Sequence, residues 1–131
     1  MDLKELVHTK LWMLHLLDAA TRYSGACLVR TKKAEVIINN VFQMWIRYFG
    51  SPAKFLSDNG GEFANERFRE MNEKLGVETC KTAAESPFSN GLVERHNAVL
   101  AEAMFKTKAD TNCDYDMALS WGVCAKNALR Q

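Results

Sequence analysis

At 131 residues the chain can enclose one hydrophobic core and is too short for two. With 47% hydrophobic and 25% charged residues it is not a disordered, collagen-like or low-complexity chain, and its longest apolar run, Leu11 to Leu17, is broken by His15 and too short to cross a bilayer. The 17 basic and 16 acidic residues leave a net charge of +1, so a firm grip on a polyanion would need local basic groups or flanking domains.

The first residues, Met1 to Leu6, read as a strand cut short at its start. Charged Asp2 and Lys4 follow Met1 at once, which is not the pattern of a secretion signal. Leu11 to Leu17 is apolar on both faces, as a central strand is. A polar turn at 19–22 leads into Tyr23 to Arg30, a second strand suited to a hairpin. Ala34, Ile37, Ile38, Val41, Trp45, Tyr48 and Phe49 then recur at three- and four-residue spacing, an amphipathic helix that stops at Gly50.

Beyond the break at Ser51 and Pro52, Ala53 to Ser57 reads as a short strand ending in the turn signal Asp58-Asn-Gly-Gly61. Asn65 can cap a second helix with apolar Phe68, Met71 and Leu75, closed by Gly76. Val77 to Thr82 is a fifth strand. A loop containing Pro87 precedes a helix from about Asn90 to Lys108, and Asp114 caps a last helix bearing Met117, Trp121 and Cys124 on one face. Hairpins first and strand–helix alternation later predict an α/β domain over residues 1–131, with a five-stranded mixed sheet flanked by helices. The four cysteines (Cys27, Cys80, Cys113, Cys124) contain no Cys-x-x-Cys pair, so free buried thiols in a reducing compartment are expected rather than a zinc site or disulfides.

Three acids stand where chemistry could use them. Asp58 ends a strand, Glu94 lies in the first turns of a helix, and Asp2 lies in the first strand. If the first and fourth strands are neighbours, Asp2 and Asp58 sit side by side and the helix delivers Glu94 opposite. Such a set suits Mg²⁺ or Mn²⁺, hard cations that prefer oxygen and relieve the mutual repulsion of the carboxylates. Each acid also has a plainer reading: a turn former, a complement to the helix dipole, a residue near a chain end.

The segments Leu56-Ser-Asp58-Asn-Gly-Gly-Glu-Phe63 and Ser86-Pro-Phe-Ser-Asn-Gly-Leu-Val-Glu94-Arg-His-Asn97 resemble the second and third acidic motifs of retroviral and long-terminal-repeat retrotransposon integrase cores. Between Asp58 and Glu94 lie 35 residues, the spacing of that family's D,D-35-E signature. The resemblance extends over essentially the whole chain, including Leu17-Asp-Ala-Ala-Thr-Arg-Tyr-Ser24, and looks closer to Ty3/gypsy-like and other long-terminal-repeat retroelements than to lentiviruses. It implies a ribonuclease-H-like fold with Asp2, Asp58 and Glu94 as catalytic metal ligands. Asp2 is preferred to Asp18 because the family's first acid sits on the first strand; Asp18 is left as a strand-end residue that can pair with Arg22.

The resemblance further implies two Mg²⁺ or Mn²⁺ ions, element-end and target DNA as partners, and DNA contacts from Asn59, Asn90, Arg95 and Asn97. Asn97 has the alternative of orienting the glutamate, and His96 can reach phosphates. Gly91 would be a hinge. It also implies a homodimer or higher oligomer, within an integration complex or polyprotein in the host nucleus or cytoplasm and not secreted. The family's lysines one and two turns past the glutamate are Ala98 and Ala101 here, which puts end recognition by this helix in doubt. The family's His-His-Cys-Cys zinc module belongs upstream of this core. His8 reads as a turn residue and His15 as a satisfied core residue. The implied activity is 3′-end processing and strand transfer by a polynucleotidyl transferase. A non-catalytic binding or dimerisation module from a decayed or domesticated integrase is the alternative. A ribonuclease H of the same fold fits the 35-residue spacing poorly.

Overall fold

The computed structural model describes residues 1–6, 9–57, 65–81 and 87–129. The centre is an antiparallel sheet in which β2 (Leu11–Leu17) lies between β1 (Asp2–Leu6) and β3 (Ser24–Val29). The register pairs Asp2 with His15 and Leu6 with Leu11 on one side, and His15 with Ala26 and Leu17 with Ser24 on the other. Asp2 is therefore a paired strand residue. Met1 is buried in the core ahead of it.

Side chains alternate across a strand, so β2 supplies two separate cores. Leu14 and Leu16 face one way, into a cluster with Ile37, Val41 and Ile46 of the helix that follows β3. Met13 faces the other, into a cluster with Leu6, Leu11, Leu100, Met104 and Leu119. Each such fully buried Leu or Met contributes about 1.5–3 kcal/mol relative to exposure. Burial on both faces explains why β2 reads as a continuous apolar run.

The helix after β3, α1, begins as Ala34–Val41, widens through a π-helical turn at Phe42–Ile46 and ends in Arg47–Phe49. In that turn the Arg47 N–H reaches back to the Phe42 carbonyl, one residue further than in an α-helix. Trp45 then lies over β3 at Gly25, where a Cβ would come within 3.0 Å of the indole. Its ring meets Tyr23 and Phe49 at centroid distances of 6.1 and 4.9 Å. Gly50, at φ 78°, ends the helix as expected.

A β–α–β unit follows: β4 (Lys54–Ser57), α2 (Glu66–Leu75) and β5 (Glu78–Lys81), with β4 and β5 parallel. The Asn65 side chain accepts from the Phe68 N–H at 3.0 Å and Gly76 closes the helix at φ 68°, both as read from the sequence. Phe55, Phe68 and Met71 join the core of Leu14 and Leu16. Among the described residues the strands hydrogen-bond as a group of three and a group of two, joined by this shared core rather than by a recorded β1–β4 ladder. Both antiparallel and parallel pairing expected of a mixed sheet are present.

Two helices, α3 (Pro87–Thr111) and α4 (Tyr115–Ala128), cover the opposite face. The third helix starts earlier than the expected Asn90, because proline is well suited to a first helical turn. Asp114 caps α4, accepting from the Met117 N–H at 2.8 Å. Gly122 is buried where a Cβ would lie 3.3 Å from Ala103 of α3, so its small size sets how closely the two helices approach. The outward face of α4 carries Met117, 51% exposed, and Trp121, 61% exposed. Cys27, Cys113 and Cys124 are free, but Cys124 is exposed, so the expectation of buried thiols fails there because its helix face meets solvent. Burial pushes the Cys27 thiol up to about 11.

Candidate active site

The strand that carries Asp2, the helix that carries Glu94 and the strand that precedes Asp58 come together. Met1 at the head of β1, Lys54 and Phe55 of β4, and Leu92 and Val93 of α3 border one cavity of about 200 Å³. Asp2 follows Met1, Glu94 follows Val93, and Asp58 comes directly after the last residue of β4. Asp58 and Asn59 themselves lie outside the described residues, as does His8.

The best-defined geometry is at Asp2. Asp2 and His15 are cross-strand partners, so their side chains leave the sheet on the same face, the one crossed by α3. Asn97 descends from α3 onto this pair. Its amide nitrogen donates to Asp2 Oδ2, and its Oδ1 lies 2.6 Å from His15 Nδ1. His15 Nε2 lies 2.8 Å from Ser24 Oγ on β3. His15 is 0% exposed and Asn97 2% exposed. Glu94 stands three residues before Asn97, one helical turn along α3, and is exposed.

Only one arrangement of protons fits. A carboxylate accepts only, so the Asn97 NH₂ faces Asp2 and its carbonyl oxygen faces His15. The Nδ1 of His15 must then carry the hydrogen, which leaves Nε2 to accept from the Ser24 hydroxyl. Donors run in one direction, from Ser24 through His15 and Asn97 to Asp2. Burial, the largest influence, pushes the His15 pKa from 6.5 down to about 4 and outweighs the Asn97 hydrogen bond, so the imidazole is neutral near pH 7. Ser24 is itself fixed by Asn127 of α4, whose side chain accepts from the Ser24 N–H at 2.8 Å and donates to its carbonyl at 2.9 Å. That contact satisfies backbone groups of an edge strand.

Several expectations change here. Asn97 is buried and its amide is committed to Asp2 and His15, so it holds Asp2 rather than offering a surface to DNA or orienting Glu94. The expected pairing of Asp18 with Arg22 is corrected as well. Asp18 accepts from the Ala20 N–H and the Thr21 hydroxyl, and only its backbone carbonyl meets Arg22, because a tight turn brings those groups nearer than the guanidinium. Arg95 and Gly91 are exposed. Gly91 lies inside α3 with open space around its Cβ position. Asn90 lies in the first turn of α3. His96 is half-buried, with Nδ1 lacking a hydrogen-bond partner among the described residues. Burial lowers its pKa, as do Lys126, Arg22 and Arg95 nearby. Ala98 is exposed, whereas Ala101 is buried in the core beneath α3, so a side chain there faces the sheet. The sequence reading missed His15 and Ser24 as neighbours of the site.

Hard oxygen donors suit a divalent cation, and Asp2 with Glu94 on the adjacent helical turn supplies them. No cluster of three His, Cys, Asp or Glu side chains occurs among the described residues, which do not include Asp58.

The family model for the integrase core domain matches residues 1–87, and the chain belongs to this family. It is 29% identical over 117 residues to the Gag-Pol polyprotein of avian reticuloendotheliosis virus, a match covering 87% of this chain and 10% of that protein. It is 32% identical over 111 residues to the Gag-Pro-Pol polyprotein of human T-cell leukemia virus 2, covering 82% of this chain and 8% of that one. The chain thus spans about a tenth of the length of these relatives. The HTLV-2 integrase catalytic core domain in complex with magnesium superposes with a TM-score of 0.75 at 22% identity, covering 91% of this chain and 72% of that one. The BIV integrase catalytic core gives 0.83 at 20% identity, covering 99% and 84%. The fold is ribonuclease-H-like.

Proposed function

We propose that residues 1–131 form the catalytic core of an element-encoded integrase, carrying out metal-dependent phosphoryl transfer on DNA. The observation that carries this reading is the bond from Asn97 to Asp2, which ties the first-strand acid to the turn of α3 that bears Glu94. Asp2, Asp58 and Glu94 would hold two Mg²⁺ or Mn²⁺ ions. Bound there, the ions would neutralise charge on the phosphate and on the attacking and departing oxygens. The nucleophile is water in 3′-end processing and a terminal 3′-hydroxyl in strand transfer.

The protein's own part is positioning. Asp2 is fixed by Asn97 on one oxygen, and the rigid β1–β2 pairing sets its direction. No side chain needs to form a covalent intermediate. Arg95, exposed beside Glu94, and Asn59 and Asn90 in the flanking motifs are assigned to DNA, with Gly91 as a hinge. The working assembly is a homodimer or higher oligomer acting on element ends and target DNA in the host nucleus or cytoplasm.

A Mn²⁺ titration followed by thermal shift, paired with a disintegration assay on branched DNA, tests the reading. Wild type gains melting temperature with Mn²⁺ and cleaves, whereas Asp58→Asn does neither. Equal stabilisation of both proteins by Mn²⁺ would sink it. A chain that binds no Mn²⁺ yet self-associates is a non-catalytic assembly module.

A further inference from the structure

We infer that His15, backed by Ser24, is a positioning residue for this site: it sets the orientation of the Asn97 amide and through it holds Asp2 beside the turn of α3 that carries Glu94. The inference rests on the phosphoryl-transfer reading for its consequence, and on hydrogen-bond geometry for its substance.

An asparagine amide has two faces of nearly equal shape and opposite polarity. Left to itself beside Asp2, Asn97 gains from presenting NH₂, but nothing on Asp2 alone fixes the depth or rotation of the amide plane. His15 supplies the second point. Its Nδ1 lies 2.6 Å from Asn97 Oδ1 in a fully buried setting, where a reversed amide would set N–H against N–H and oxygen against carboxylate. Ser24 supplies the third, because its hydroxyl lies 2.8 Å from Nε2 and donates to it once Nδ1–H is committed to the Asn97 carbonyl. The three side chains come from β2, β3 and α3, so the rotamer of Asp2 is set by the packing of that helix on the sheet. A histidine buried on the same strand face as Leu11 and Met13 is otherwise a costly choice, since an apolar residue would fill the space without needing two partners.

The test reads the chain with and without metal. In metal-free ¹⁵N-labelled protein, long-range ¹H–¹⁵N correlations of the His15 ring are expected to show a protonated Nδ1 and an unprotonated Nε2; an Nε2–H tautomer overturns the inference. His15→Leu is expected to weaken Mn²⁺ binding by roughly tenfold or more and to lower kcat with little change in KM for DNA, the size seen when outer-shell partners of metal ligands are removed. His15→Gln, whose amide can donate to Asn97 and accept from Ser24, is expected to recover most of the Mn²⁺ affinity and provides a folded comparison if the leucine variant unfolds. A His15→Leu chain that loses melting temperature but keeps the wild-type Mn²⁺ affinity and kcat in its folded fraction overturns the inference, because His15 is then only a core residue. A wild-type chain that binds no Mn²⁺ overturns the phosphoryl-transfer reading instead, and the tautomer measured without metal still decides whether the relay exists.

Discussion

Asn97 of α3 and Asp2 of β1, 95 residues apart in sequence, are joined by a hydrogen bond from the amide nitrogen of the first to Oδ2 of the second. The bond crosses from helix to sheet and ties Asp2 to the residue one helical turn beyond Glu94. It also makes Asn97 the least replaceable polar group of that interface. Asn97→Leu leaves the His15 Nδ1–H without an acceptor in a fully buried position. An orphaned buried donor costs about 1–3 kcal/mol. Urea unfolding is expected to show a loss of that size, with an unchanged m-value.

Asp2 and Asp18 compete for the role of first acid, and their surroundings differ. The Asp18 carboxylate accepts from Ala20 and Thr21 within its own turn, whereas Asp2 is held against α3. Asp2→Asn is expected to abolish both stabilisation by Mn²⁺ and strand transfer. Asp18→Asn should keep the metal response and lose only about 0.5–1.5 kcal/mol of stability from its turn. Thermal-shift titrations of the two variants side by side check this, and a metal response lost in Asp18→Asn alone reverses the assignment.

The buried imidazole gives the fold a defined acid sensitivity. His15 has a folded pKa of about 4 against 6.5 when unfolded, so the unfolded chain takes up the proton first as pH falls. Its contribution is complete above pH 6.5 and is lost progressively between 6.5 and about 4. The full swing is on the order of 3 kcal/mol. The N-terminus, Lys126 and His96 add to the depression in the same direction. Carboxylates titrate at the lower end of the same range, so the comparison must be with His15→Gln. The stability gap between wild type and variant is expected to narrow from pH 7 to pH 4. A gap independent of pH would mean that His15 has the same pKa folded and unfolded, and a gap that widens toward pH 4 would mean that it is protonated in the folded protein.

How much of this was legible in the sequence differs from residue to residue. Asn65, Gly76, Gly50 and Asp114 act locally, within four residues, and cap or end the elements where their chemistry says they must. Asp58 and Glu94 are legible from the short motifs around each and from the 35 residues between them. The role of His15 is not, because its partner Asn97 lies 82 residues away and the strand pattern cannot say which helix crosses that face. For the same reason Asn97 reads as a surface residue of α3 when only its spacing from Glu94 is considered. The bend at Phe42–Ile46 is also silent in the pattern, since a π-turn arises from how Trp45 packs over Gly25.

The exposed aromatic residues raise the question of assembly. Tyr48, at 67% exposure, and Trp121 with Met117 on α4 are far larger apolar side chains than an isolated surface favours. Ala118, Leu119 and Gly122 already fill the buried side of α4, so Met117 and Trp121 have no room to turn inward. A two-fold pairing would use this patch twice, so that one substitution alters the interface at two places. Sedimentation is expected to show a concentration-dependent dimer in wild type. Trp121→Glu places two charges in that interface and is expected to shift the chain to monomer, with little change in melting temperature of the monomer because the residue is exposed. Ser120→Glu, one position away and also exposed, should act in the same direction more weakly, since its hydroxyl bonds back to the Asp116 carbonyl at 3.0 Å within its own helix. A wild-type chain that stays monomeric at high micromolar concentration would show that these side chains serve something other than self-association.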